Sequence, residues 1–238
     1  KELRAELAAH GTRFRTEGDT EVVVEGVRTW GVEGLLARAA GMFAFALYDQ
    51  QSRRLTLARD RAGKKPLYYA DTPAGLVFAS ELAALWKLAP ALKELDPKGL
   101  EAWLRLKFCP SPLTLLKGVK KVPPAHLLEA KADGSHSLAR YWSPLGRERP
   151  PGELLDLLEA SLETAARRRL VSDVPVCLFL SGGVDSGLVA ATLGAAGQGL
   201  TSYTVGYEDL PAYNEFAEAR ATASRLGLRH NEVTLPSR

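Results

Sequence analysis

The sequence predicts a chain in two parts: an α+β region over residues 1–143 and an α/β region over residues 153–238, the latter a doubly wound parallel sheet. Three observations predict it. The first 143 residues break into short apolar runs separated by turn residues, a strand-rich texture. Pro, Gly and Arg then crowd residues 144–152, a linker composition. Beyond them, apolar runs at 176–180, 201–206 and 229–235 alternate with helix-like runs at 184–195 and 213–226. Short connections between such runs are the pattern of parallel strands joined by crossover helices.

Taken in order, the elements are these. Residues 1–7 are amphipathic and charged, unlike a signal peptide. Residues 21–27 follow Asp19-Thr20, either of which can N-cap a helix with Glu21 close behind, but their β-branched side chains argue for a strand, so the residues alone leave this open. Residues 42–49 read as a strand buried on both faces, with 55–58 as its partner across a turn at Ser52-Arg53-Arg54. Residues 67–70 and 76–79 read as a hairpin around Asp71-Thr72-Pro73-Ala74-Gly75. A helix over 81–88 puts Leu82, Leu85 and Trp86 on one face. Residues 127–130 and 137–141 form a last hairpin around Asp133-Gly134. A long amphipathic helix over 153–170 ends in Arg167-Arg168-Arg169, cations that complement its dipole.

Composition narrows the function classes. A net charge of +3 on 238 residues is too small to imply nucleic acid. No apolar stretch approaches the ~20 residues of a membrane span. Cys109 and Cys177 are the only cysteines, and Cys177, in the apolar run, is expected to be buried. With His10, His126, His136 and His230 scattered, no zinc spacing exists, and a reducing cytoplasm fits this cysteine usage.

The chemistry is concentrated at Ser181-Gly182-Gly183-Val184-Asp185-Ser186. It sits between an apolar strand and a helix, the layout that cradles phosphate. Glycines admit a close backbone approach, and the free N–H groups of the first helical turn face the anion. Ser181 and Ser186 add hydroxyls. Asp185 repels phosphate by itself and makes sense there if it holds Mg²⁺ or orients a neighbouring group. No G-x-x-x-x-G-K-[ST] occurs. Gly194-Ala195-Ala196-Gly197-Gln198-Gly199 has reversed dinucleotide spacing and follows a helix, so it reads as a helix stop and turn.

The S-G-G-x-D-S loop resembles the pyrophosphatase-type loop of ATP-dependent adenylating enzymes. Gly18-Asp19-Thr20-Glu21, residues 41–49 (GMFAFALYD), residues 59–69 (RDRAGKKPLYY) and Phe78-Ala79-Ser80-Glu81 resemble glutamine-hydrolysing asparagine synthetase in content and order. The resemblance spans nearly the whole chain. It implies the C-terminal portion of a class II glutaminase of N-terminal-nucleophile type over 1–143 and the N-terminal portion of an ATP-binding domain of adenine-nucleotide alpha-hydrolase type over 153–238, both incomplete. It also implies a helix at 21–27. ATP and Mg²⁺ would be bound by Leu180, Ser181, Gly182, Gly183, Val184, Asp185 and Ser186, with Asp185 on the metal. Val205 matches a position packing on adenine, although any buried strand has such a valine. Asp19 matches the carboxylate that pairs with the α-ammonium of glutamine, and it also suits a helix N-cap. Arg59, Asp60 and Lys65 are charges inside an apolar segment and need partners; they either act in the site or brace the sheet.

The resemblance implies glutamine, ATP and aspartate or another carboxylate acceptor as partners, with a homodimer as one assembly the family allows. The family's nucleophile is an N-terminal cysteine, whereas residue 1 is lysine, so the chain is expected to be an internal piece of a longer amidotransferase that does not turn over glutamine alone. Two rivals use the same loop: a tRNA-modifying thiolase or lysidine-type ligase, disfavoured by the charge, and a non-catalytic nucleotide-binding module.

Overall fold

The computed structural model describes residues 1–145, 153–195 and 200–236. The linker reading of 144–152 lies outside the described residues from 146 onward, and so does the helix stop from 196 to 199. The chain divides into two compact units, Lys1–Gly146 and Arg147–Arg238.

The first unit opens with helices α1 (Glu2–Ala9) and α2 (Asp19–Arg38). Strands β1 (Ala44–Asp49), β2 (Arg54–Arg59), β3 (Tyr68–Thr72) and β4 (Gly75–Ala79) follow, then helices α3 (Leu82–Leu88) and α4 (Pro97–Leu106). Strands β5 (Val119–Lys121), β6 (His126–Ala130) and β7 (His136–Arg140) close it. They make two antiparallel sheets, in the orders β1-β2-β6-β7 and β4-β3-β5.

Alternation along the strands sets the layers, because successive side chains point to opposite faces. Leu57 of β2 and Leu128 of β6 meet Tyr69 of β3, with Leu67 and Val122, in the core between the sheets. Their neighbours Ala58 and Leu127 pack with Leu36 of α2 on the outer face of one sheet. Ala70, next to Tyr69, packs with Leu85 of α3, Leu116 and Val119 on the outer face of the other. The unit is therefore layered helix, sheet, sheet, helix. Each fully buried leucine contributes on the order of 2 kcal/mol to that arrangement.

Residues 21–27 are helical, and α2 breaks at Gly31, whose φ of +73° only glycine adopts without strain. Residue 18 is the cap position, so Asp19 is the first helical residue and makes no capping bond. Residues 42–49 are not buried on both faces: Met42 and Tyr48 are exposed, and β1 is an edge strand.

The second unit comprises α5 (Leu154–Arg169), β8 (Cys177–Phe179), α6 (Val184–Ala195), β9 (Thr201–Tyr207), α7 (Phe216–Arg225) and β10 (Arg229–Leu235). Its sheet is parallel, in the order β10-β9-β8. Leu180, Ala190 of α6, and Ala219 and Ala223 of α7 share one cluster, so both helices cover one face. Phe179, Val205, Tyr207, Val233 and Leu235 alternate onto the other face and are exposed among the described residues. Cys177 alternates with them and is exposed as well, a correction to its expected burial; Cys109 is the buried cysteine. Among the described residues, no helix is long and apolar enough to cross a membrane.

Candidate functional site

Residues 181–186 connect β8 to α6 at the carboxyl ends of parallel strands, where open α/β sheets bind ligands. Leu180 fixes the start of the turn. Its side chain is buried, its N–H donates to the Tyr203 carbonyl at 2.9 Å, and its own carbonyl accepts the Thr204 hydroxyl. The loop is then tied to itself. Ser181 Oγ lies 2.9 Å from Ser186 Oγ, Ser181 N–H donates to Ser186 Oγ at 3.2 Å, and Gly183 N–H donates to Ser181 Oγ at 3.1 Å. The two serines therefore shape the turn while keeping hydroxyls at its mouth.

Gly182 is where the close approach occurs, and what approaches is protein. A Cβ there would lie 2.9 Å from Glu218 Cβ of α7. The Gly182 N–H donates to Glu215 Oε2 at 3.3 Å. Val184 and Asp185 are exposed in the first turn of α6. Val205 is not plain core: it is 41% exposed. In register it follows Thr204, the partner of Leu180, so it lies level with the loop. The sheet thus brings together Leu180, residues 181–186 and Val205.

Magnesium in nucleotide sites keeps several waters and takes one or two carboxylates plus phosphate oxygens. The exposed carboxylate of Asp185 at the helix start fits that donor set. Among the described residues, no group of three or more potential ligands forms a preassembled metal site.

Asp19 belongs to the other unit and is exposed there. It lines a hollow of about 430 Å³ with Glu6, Val22, Arg38, Met42 and Phe45, among others. The turn before it is built by Arg4, which donates to the carbonyls of Thr16 at 2.9 Å and Gly18 at 2.8 Å. Glu21 completes the turn by accepting from Arg15 N–H, Thr16 N–H and Thr16 Oγ1. These bonds, the Thr16 hydroxyl first, hold the Glu21 carboxyl below its ordinary value of 4.5. A lowered folded value means the carboxylate favours this turn above the ordinary value and loses that preference as pH falls through the lowered one. Thr16→Val should therefore move the Glu21 midpoint, read by carboxyl-carbon NMR, back toward 4.5; an unmoved midpoint would refute the assignment of cause.

Arg59 and Asp60 brace the sheets. The Arg59 guanidinium donates to the carbonyls of Lys65 (2.8 Å), Val122 (2.8 Å) and Gly63 (2.7 Å). Lys65 serves this bracing through its backbone, its N–H donating to Asp60 Oδ2 at 2.9 Å. Glu81 stands at the cap position of α3 without a capping bond.

Sequence reading missed Glu215, Arg38 and Glu6. The Asn214-Glu215-Phe216 step before a helix was the available signal for the first. Arg38 and Glu6, 3.2 Å apart, meet only through the packing of α1 on α2.

Two family models match the chain: a glutamine amidotransferase domain over residues 1–142 and asparagine synthase over residues 157–238. The chain is 35% identical over 240 residues to a putative asparagine synthetase [glutamine-hydrolyzing] of Mycobacterium tuberculosis, covering 96% of this chain and 36% of that protein. It is 34% identical over 223 residues to asparagine synthetase [glutamine-hydrolyzing] 3 of Bacillus subtilis, covering 90% and 36%. Amidase chry2 of Gibberella zeae is 30% identical over 237 residues, covering 91% and 34%. The chain thus spans about a third of the length of the curated relatives it matches.

Proposed function

The chain belongs to the glutamine amidotransferase family, with its second part in the asparagine synthase family, and on that premise we propose that its parent is a glutamine- and ATP-dependent ligase. It activates an aspartate carboxylate as an adenylate and amidates it with ammonia drawn from glutamine. Residues 1–143 are the glutaminase portion, of N-terminal-nucleophile type. Residues 153–238 open the ATP-binding portion, of adenine-nucleotide alpha-hydrolase type, and 144–152 are the linker.

The observation that carries this reading is the serine- and glycine-lined turn at the carboxyl end of a parallel strand, opening directly into α6. The N–H groups at a helix start have no partner within the helix and orient toward an anion. Residues 182–184 and the hydroxyls of Ser181 and Ser186 would hold the pyrophosphate part of ATP. Leu180 would border the nucleotide through the strand end, and Val205 through its exposed side chain. Asp185 would hold Mg²⁺, which neutralises charge on the departing pyrophosphate. In the glutaminase portion, the exposed Asp19 carboxylate at the 430 Å³ hollow would pair with the substrate ammonium. The similarity to Amidase chry2 favours testing acceptors other than aspartate as well.

In the full-length parent, Asp185→Asn should cut acceptor-dependent AMP release by about a hundredfold or more, the scale expected when a metal ligand is lost. Glutamine hydrolysis should persist. Equal loss of both activities would signal a folding defect and remove the assignment of Asp185.

A further inference from the structure

We propose that Glu215 competes with phosphate at the loop: its carboxylate holds the Gly182 N–H while the loop is empty and must yield that N–H to an incoming phosphate. The inference rests on the nucleotide reading of the loop given above.

Glu215 is aimed at the loop by a clamp. Asn214 Nδ2 donates to the Tyr207 carbonyl at 3.0 Å, and Tyr207 N–H donates to Asn214 Oδ1 at 2.8 Å. These bonds fix the residue before Glu215 to the end of β9. Gly206 is glycine for the same reason: a Cβ there would lie 2.4 Å from Phe216 Cζ and 2.7 Å from Asn214 Oδ1. Residues 214–216 are therefore pressed onto the strand end.

Glu215 stands at the cap position of α7 but makes no capping bond to its own helix. Its carboxylate reaches across to Gly182 N–H at 3.3 Å instead. From the next helical turn, Glu218 Cβ would lie 2.9 Å from a Cβ at 182, so the loop and α7 touch directly. Glu215 is exposed, so releasing the N–H leaves no buried charge behind.

A carboxylate oxygen and a phosphate oxygen are equivalent acceptors for one N–H, and two anions at one donor repel. The carboxylate thus occupies the donor that a phosphate needs and competes with the phosphate for it. Removing a residue that merely props the loop would weaken anion binding; removing a competing carboxylate strengthens it. The sign of the effect separates the two roles.

The test is calorimetric titration of the full-length parent with inorganic pyrophosphate at fixed ionic strength, in chelator, beside amide exchange at Gly182. Glu215→Ala should bind about tenfold more tightly than the unmodified chain, the scale of one charge-assisted hydrogen bond, and Glu215→Gln, whose amide oxygen still accepts the N–H, should gain less. Glu218→Gln, which removes a neighbouring charge without touching the N–H, should change affinity by less than about threefold. The Gly182 amide should be protected in the unmodified chain and unprotected in Glu215→Ala. Unchanged or weaker binding by Glu215→Ala, equal gains from Glu218→Gln, or unaltered Gly182 exchange would overturn the proposal while leaving the nucleotide reading in place. Pyrophosphate binding to none of the proteins would overturn both.

Discussion

Asp60→Ala is expected to destabilise the first unit by roughly 3–5 kcal/mol, the cost of removing one partner from a buried, charged hydrogen-bond set. Asp60 is fully buried. Its Oδ1 accepts from Ala62 N–H at 3.1 Å and Lys64 N–H at 2.9 Å, and its Oδ2 from Lys65 N–H at 2.9 Å and Phe43 N–H at 3.3 Å. Four main-chain donors thus converge on one carboxylate, and alanine satisfies none of them. The damage spreads because the same turn supplies two of the three carbonyls that Arg59 grips. Tyr141 is tied in as well, its hydroxyl donating to the Arg59 carbonyl at 2.7 Å, and burial, with Asp60 nearby, pushes its phenol up to about 12. Asp60→Asn keeps one oxygen acceptor and turns the other into a donor facing donors, so roughly half the loss should remain. Asp49→Ala, at an exposed carboxylate in a surface turn, should shift the midpoint far less. Denaturant midpoints followed by tryptophan fluorescence measure all three. A loss for Asp60→Ala no larger than that for Asp49→Ala would mean water reaches the four N–H groups and that the buried carboxylate is dispensable.

That residue also shows where sequence reading stops. Charges inside the apolar run 59–69 announce that Arg59 and Asp60 must be paired, because unpaired buried charge is too costly. Nothing local announces that the partners are main-chain groups of a turn folded back on the pair. The hairpins were legible because alternation and turn residues are local signals; Pro73-Ala74 and Asp133-Gly134 mark their turns. Strand β1 was misjudged because an apolar run reads as double burial, whereas its place at a sheet edge depends on residues far along the chain. Helix α4 went unread although Asp96-Pro97 announces it, with Asp96 accepting from Lys98 and Gly99 N–H. The short, lysine-bearing β5 carried no such signal. At the candidate site, residues 181–186 were legible as a unit since strand, glycine turn and helix are contiguous. Glu215 lies thirty-three positions from Gly182, and only the parallel sheet brings it to the loop.

Gly99→Ala is expected to destabilise the first unit by about 3 kcal/mol or more, against the sign of helix propensity, which favours alanine over glycine by ~1 kcal/mol inside a helix. Gly99 lies in α4, where its Cα rests on a neighbouring segment. A Cβ would come 1.8 Å from the Thr114 carbonyl oxygen, 2.8 Å from its carbon and 3.3 Å from Leu115 Cα. These are backbone atoms, and the segment that carries them cannot retreat. Leu116 N–H donates to Thr114 Oγ1 at 3.0 Å, and that hydroxyl faces the Val119 carbonyl at 2.9 Å. On the α4 side, Asp96 N–H donates to the Leu115 carbonyl at 2.9 Å, and Lys117 N–H to the Glu94 carbonyl at 2.9 Å. Relief therefore requires α4 to lift off residues 114–117, breaking those bonds and opening the cluster of Leu85, Leu116 and Val119 beneath. Gly187 in α6 is the matched control, since a Cβ there meets only Thr222 Cγ2 at 3.9 Å, an ordinary contact. Gly187→Ala should be neutral to ~1 kcal/mol stabilising. Opposite signs for two glycine-to-alanine changes in two helices would separate packing from propensity within one chain. A neutral or stabilising Gly99→Ala would mean that α4 and residues 114–117 are farther apart in solution than this packing requires.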